Sequence, residues 1–121
     1  MALTRTDDEL VLLHNPNCSK SRAVHAILTE SGQEFRERRY LDDPLDREEL
    51  SDLRERLGRP VGEWVRSSDA TYAEAGLGAG SGEEELIAAL EKSPKLMERP
   101  IVVRGPRAVV GRPPEGVREL L

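Results

Sequence analysis

One cysteine and two histidines are all that this chain of 121 residues offers toward thiol chemistry or imidazole ligation. Cys18 has no partner for an internal disulfide, and His14 and His25 beside it do not make a convincing structural zinc set. A redox cycle through Cys18 therefore needs a second thiol from another molecule. Positive charge is also in deficit: 18 Lys and Arg stand against 23 Asp and Glu, a formal net charge of -5, with no basic block. That balance argues against nonspecific nucleic-acid binding. No apolar run approaches the roughly 20 residues of a membrane-spanning helix. The segment from Met1 to Glu9 is polar and acidic rather than signal-like, so no membrane partner and a cytoplasmic location are the expectations. What the chain does have, 37% hydrophobic and 34% charged residues, is the balance of one compact soluble domain spanning 1–121.

The apolar run Leu10 to Leu13 stops at His14-Asn15-Pro16-Asn17, and from Ser19 the apolar positions Val24, Ile27 and Leu28 recur at helical spacing up to Gly32. This predicts strand, loop, helix. Glu34 to Leu41, bounded by Gly32 and Asp42-Asp43-Pro44, predicts a second strand and completes a βαβ unit. The right-handed crossover of such a unit puts the His14 to Cys18 loop at the carboxyl edge of the sheet, where ligands bind. Helical spacing returns at Leu50, Leu53 and Leu57 and again across Glu83 to Lys92, with a short helix expected from Val61 to Val65 and a glycine-rich loop from Gly76 to Gly82. Ile101-Val102-Val103 and Ala108-Val109-Val110, joined by Arg104-Gly105-Pro106-Arg107, read as a hairpin, and a last short helix is expected from Pro113-Pro114. The predicted architecture is α/β: a four-stranded mixed sheet flanked by helices, with a helical insertion between strands 2 and 3, approximately 45–95. Thioredoxin-like folds have this order, and Pro100 stands before the third strand where such folds use a cis proline.

Cys18 follows a strand and opens a helix, so its sulfur faces unpaired N–H groups and the positive end of the helix dipole, which favours thiolate. An unperturbed thiol near pKa 8.5 is only about 3% ionised at pH 7; making it mostly thiolate takes roughly 3 kcal/mol, of which a helix end supplies about a third. Candidate donors for the rest are His14, Ser19 and Ser21, together with cationic side chains folded in from elsewhere. A buried, inert cysteine is the competing reading. Cys18-Ser19-Lys20-Ser21 has the Cys-x-x-Ser form, which rules out self-contained dithiol exchange. Arg22 follows Cys18 after three residues, not the five of a tyrosine-phosphatase loop, and one helical turn below the cysteine it is expected to pair with an acid. Asp42-Asp43 and Glu83-Glu84-Glu85 are expected to serve helix starts.

The segment His14 to Arg22 resembles the active-site segment of the glutaredoxin-coupled arsenate reductase (ArsC) family, with its His-x3-Cys-x3-Arg signature. Three further blocks resemble the family in order: Trp64-Val65-Arg66 with Tyr72 and Gly76-Leu77; Pro94 to Val103; and Gly111-Arg112-Pro113-Pro114-Glu115. The Cys-Ser-Lys-Ser-Arg and Leu-Met-Glu-Arg-Pro wording is similar to the shorter ArsC-like members rather than to the reductases with a C-terminal extension. The resemblance implies that Cys18 is the nucleophile, that Arg66, Arg99 and Arg112 bind the oxyanion, and that His14 and Ser21 stabilise the thiolate. Asn15 and Asn17 would shape the loop. Guanidinium forks suit a tetrahedral dianion and lower the pKa of a nearby thiol at the same time.

The implied activity is reduction of arsenate to arsenite through a cysteine-arsenate adduct, resolved by glutathione or another low-molecular-weight thiol and a glutaredoxin-type protein, with no cofactor bound. Two alternatives remain: an ArsC-like thiol redox protein acting on another oxyanion or a mixed disulfide, and an Spx-like regulator that binds RNA polymerase. Against the regulator, Ser21 removes the Cys-x-x-Cys switch usual in that group.

Overall fold

The computed structural model describes residues 3–121. Strand β1, Leu10–Leu13, leads through the His14 to Cys18 loop into helix α1, Ser19–Glu30, and strand β2, Arg36–Arg38. Helices α2 (Arg47–Leu57), α3 (Ala70–Glu74) and α4 (Glu83–Lys92), with 3-10 turns at Val61–Glu63 and Pro94–Leu96, form the insertion. Strands β3 (Ile101–Arg104) and β4 (Arg107–Val110) and a 3-10 segment, Pro114–Leu120, complete the chain. The sheet order is β2-β1-β3-β4; β1 and β2 are parallel, and β3 is antiparallel to both β1 and β4. This is the four-stranded mixed sheet and intervening helical stretch expected from the sequence.

All four β1 residues are buried because both faces of the sheet are covered. Side chains alternate across a strand. Val11 and Leu13 accordingly join Ile101, Val103, Trp64, Leu53 and Ile87 on one side, and Leu10 and Leu12 join Val102, Val24, Leu28 and Val117 on the other. The helices of the insertion cover the first face, and α1 with the C-terminal 3-10 segment covers the second.

Asp46 starts α2 with a capping box: its side chain accepts from the Glu49 amide at 2.8 Å while Glu49 accepts from the Asp46 amide at 3.1 Å. Gly58, in the left-handed region at φ 65°, ends that helix. The acidic run at the start of α4 also has a tertiary role, since the Glu83 carboxylate accepts from the Val61 amide and holds the 3-10 turn.

Two local expectations change. The second strand is Arg36–Arg38 rather than Glu34 to Leu41, and Arg22 pairs with no acid among the described residues, donating instead to the Pro16 carbonyl at 3.0 Å. The short α3, before Gly76, was not individually expected within the helical insertion. Arg99-Pro100 is cis, as is Arg112-Pro113.

Candidate active site

Pairing with β2 and β3 ends at Leu13, and the chain turns out of the sheet at its carboxyl edge. The loop there is held by its own polar groups. The Asn15 side chain accepts from the Asn17 amide and its carbonyl accepts from the Cys18 amide, each at 3.0 Å. The Ser21 hydroxyl, fully buried on α1, accepts from the Asn15 amide at 3.0 Å and shares a 2.7 Å hydrogen bond with Nδ1 of buried His14. His14 and Ser21 thus clamp the loop onto the first helical turn. Burial holds the His14 imidazole below its ordinary pKa, with nearby Glu37 opposing and His25 and Arg39 reinforcing the shift. His14 is therefore a neutral partner for Ser21 near neutral pH.

Cys18 occupies the N-cap position of α1 with extended backbone, φ -103° and ψ 126°. It closes no regular capping hydrogen bond, yet the Ser21 and Lys20 amides face its sulfur. Burial alone would push the thiol up; those two amides and the Arg99 guanidinium outweigh it, and the thiol lies below its ordinary value. Arg99 is thus the cation that acts directly on the sulfur.

Arg99 lies two residues before β3, at the same edge as Cys18, because β3 runs antiparallel to β1 with Ile101 opposite Leu13. Its Nε and Nη1 are buried and make no hydrogen bond among the described residues. Arg66 arrives by another route. Residues 64–66 lie against 96–98 through the Val65 to Met97 bridge, the Arg66 amide on the Leu96 carbonyl at 2.7 Å and the Glu98 amide on the Trp64 carbonyl at 2.9 Å. The Arg66 guanidinium rests on Asp69, 3.2 Å away. Arg112 is brought in from β4: the Gly111 amide donates to the Pro100 carbonyl at 2.8 Å, and Arg112 Nε lies 2.8 Å from the Arg99 carbonyl and 3.2 Å from Glu98 Oε2.

All six sequence-derived residues therefore fall at or around one sheet edge, in two groups: Cys18, Arg99 and the His14–Ser21 clamp at the loop, and Arg66 and Arg112 tied to Asp69 and Glu98. Sequence reading missed the two acids: Glu98 pairs with Arg112 across the β3–β4 hairpin, whereas Asp69, three residues after Arg66, is a local partner that the spacing could have shown. Among the described residues, no group of three or more His, Cys, Asp or Glu side chains is arranged to hold a metal ion, and no helix is long and apolar enough to cross a membrane. A surface cleft of about 1020 Å³ opens beside Phe35, Arg36 and Arg104 at the opposite end of the sheet. Its two strand arginines are already engaged, Arg36 by Glu9 and the Leu3 carbonyl, Arg104 by Gln33 and the Leu120 carbonyl. The edge near Cys18 carries the nucleophile and the unpartnered guanidinium nitrogens, and it is the better candidate for chemistry.

Residues 13–120 match the ArsC family. The chain belongs to that family. This ArsC-family chain is 44% identical over 115 residues to the uncharacterized protein YfgD of Escherichia coli (strain K12), covering 93% of this chain and 97% of YfgD. It is 39% identical over 115 residues to a Neisseria meningitidis (strain MC58) protein named arsenate reductase, covering 93% of this chain and 98% of the relative. The solved structure of the arsenate reductase from Vibrio cholerae matches with a TM-score of 0.89 at 39% identity, covering 96% of this chain and 100% of that one. The ArsC resemblance of the four sequence blocks therefore extends over nearly the whole fold.

Proposed function

We propose that this ArsC-family protein is a thiol-dependent arsenate reductase. The observation that carries the reading is Cys18 at the start of α1 with the Arg99 guanidinium against it, which lowers the thiol pKa while leaving two buried N–H-bearing nitrogens unpartnered. A thiolate beside free guanidinium donors suits attack on a tetrahedral dianion: the same positive charge ionises the nucleophile and binds the oxygens of the group attacked. Arg66 and Arg112 complete the anion site, oriented by Asp69 and Glu98. His14 and Ser21 serve the thiolate by fixing the Asn15 to Cys18 loop on the helix end.

In the proposed reaction the Cys18 thiolate forms a bond to arsenic, one arsenic–oxygen bond breaks, and the oxygen leaves as water after protonation. A low-molecular-weight thiol such as glutathione then displaces a second oxygen as water and bonds to arsenic. A glutaredoxin-type thiolate attacks the sulfur of that small thiol, and the electron pair of its bond to arsenic stays on arsenic, reducing arsenic(V) to arsenic(III). The two external sulfurs leave as a mixed disulfide. Hydrolysis of the remaining bond releases arsenite and regenerates Cys18, so the protein needs no bound cofactor and no second cysteine of its own.

The test of this scheme is its thiol requirement. With arsenate, glutathione and glutaredoxin, or with mycothiol and its redoxin, the expected product is arsenite in steady turnover, stopped by omitting the redoxin. Equal turnover without a redoxin would contradict the scheme. A mixed-disulfide substrate is the second reading, since a low-pKa thiol suits disulfide exchange as well. It predicts deglutathionylation that depends on Cys18 but not on Arg99's free nitrogens.

A further inference from the structure

Tyr40 is 1% exposed, and its hydroxyl oxygen is buried without a hydrogen-bond partner. Leaving a buried phenol unpaired is costly, and tyrosine hydroxyls in cores ordinarily find a partner. Its position explains what it faces. Tyr40 stands two residues beyond β2, which runs parallel to β1, so it leaves the sheet at the same edge as the Cys18 loop. Arg38 fixes this exit, donating to the Asp43 carbonyl at 3.1 Å and the Pro44 carbonyl at 2.8 Å. The charged groups acting on the hydroxyl are, in order, Arg99, Cys18, Arg66 and Glu98, all from the candidate active site.

Among the described residues, the buried side-chain nitrogens and oxygens without a partner are Tyr40 Oη, Arg99 Nε and Arg99 Nη1. All three atoms can donate, and they belong to two side chains that both interact electrostatically with Cys18. The phenol oxygen could accept from a guanidinium, but the two make no such bond, and one multivalent acceptor would satisfy all three atoms. We propose that the Tyr40 hydroxyl is a further ligand of the tetrahedral oxyanion, donating to one of its oxygens while Arg99 holds others. The inference deepens the reading above and rests on its oxyanion site, not on arsenate in particular. Burial pushes the Tyr40 pKa up to about 12, so the phenol keeps its proton and stays a donor throughout the physiological range.

Tyr40→Phe removes the oxygen and keeps the ring. The readout is protection of Cys18 from alkylation by iodoacetamide as arsenate, phosphate or sulfate is added. The variant is expected to require about tenfold or more of each protecting anion for half-protection, the effect of losing a hydrogen bond to a charged group. Its alkylation rate without anion should stay within twofold of the parent. Unchanged protection would overturn the inference. So would a large change in the anion-free rate, which would place the hydroxyl on the thiolate instead, and so would a parent protein that no oxyanion protects. Tyr40-dependent protection by phosphate or sulfate without arsenate turnover would uphold the inference and remove the arsenate reading. Should the variant fail to fold, the parent protein labelled at the tyrosine ring ζ carbon gives two signals, Tyr40 and Tyr72, assigned through Tyr72→Phe. Saturating anion is expected to shift the Tyr40 signal, and a stationary one would overturn the proposal.

Discussion

At Cys18 two effects oppose each other: burial resists ionisation, while the Ser21 and Lys20 amides and the Arg99 guanidinium favour it, and the second group prevails. Because the folded thiol ionises below its unfolded value, thiolate formation stabilises the folded chain above the unfolded pKa, and that contribution is lost as pH falls through the folded one. Alkylation of Cys18 by iodoacetamide is therefore expected to rise at lower pH than for the same chain unfolded in urea. Arg99→Ala should move that rise upward and slow the reaction several-fold at pH 7; coincident pH profiles for parent and variant would contradict the assigned cause. Cys18 was legible because a strand, a loop and a helix start mark its position, and Arg99 through the family resemblance of the Pro94 to Val103 block. Glu98 and the Tyr40 hydroxyl were not, because an acid among many acids, or a tyrosine after a short strand, acquires its meaning only when separate elements meet; Asp69, three residues after Arg66, was within reach of local spacing.

Strand β2 is held to the insertion by a buried ion pair between Arg38, 10% exposed at its side chain, and Glu49, 5% exposed. Removing one partner strands the other charge in the core. Arg38→Met is expected to cost about 3–5 kcal/mol in urea unfolding, and adding Glu49→Leu should recover much of the loss; a double variant no more stable than the single would show that the pair does not set the cost. Gly111 makes a second close junction: a Cβ there would lie 2.8 Å from Val24, 2.9 Å from Pro100 and 3.3 Å from Val117. Gly111→Ala should destabilise by about 1–3 kcal/mol, and because Gly111 also ties β4 to Pro100, it should weaken oxyanion protection of Cys18. At this scale the sequence was most readable where apolar period and punctuation agree, as in α4, whose bounds coincide with the expected Glu83 to Lys92. Strand β2 came out shorter than its composition suggested because it is an edge strand whose partner β1 turns away after Leu13. Helix α3 went unread because it has no buried residues, and hence no apolar periodicity to show.

The whole molecule is acidic, so long-range attraction does not explain how it would collect a dianion. Positive charge is instead concentrated by topology. The end of β1, the exit from β2 and the entry to β3 share one edge, which brings Cys18, Tyr40 and Arg99 together from distant parts of the chain, while the insertion delivers Arg66. This common edge followed from the βαβ pattern and the terminal hairpin; the contacts that complete it depend on how the insertion packs, which a linear pattern does not specify. Arsenate reduction at Cys18 is tested by steady-state arsenite formation from arsenate with a recycling thiol and redoxin, run on the parent chain, Cys18→Ser and Arg99→Ala. Turnover is expected from the parent, none from Cys18→Ser, and at least a hundredfold lower kcat/KM from Arg99→Ala, the order of loss expected for a transition-state donor. A folded parent protein with a reactive Cys18 thiolate and no arsenite formed with either glutathione or mycothiol would contradict arsenate reduction at this site.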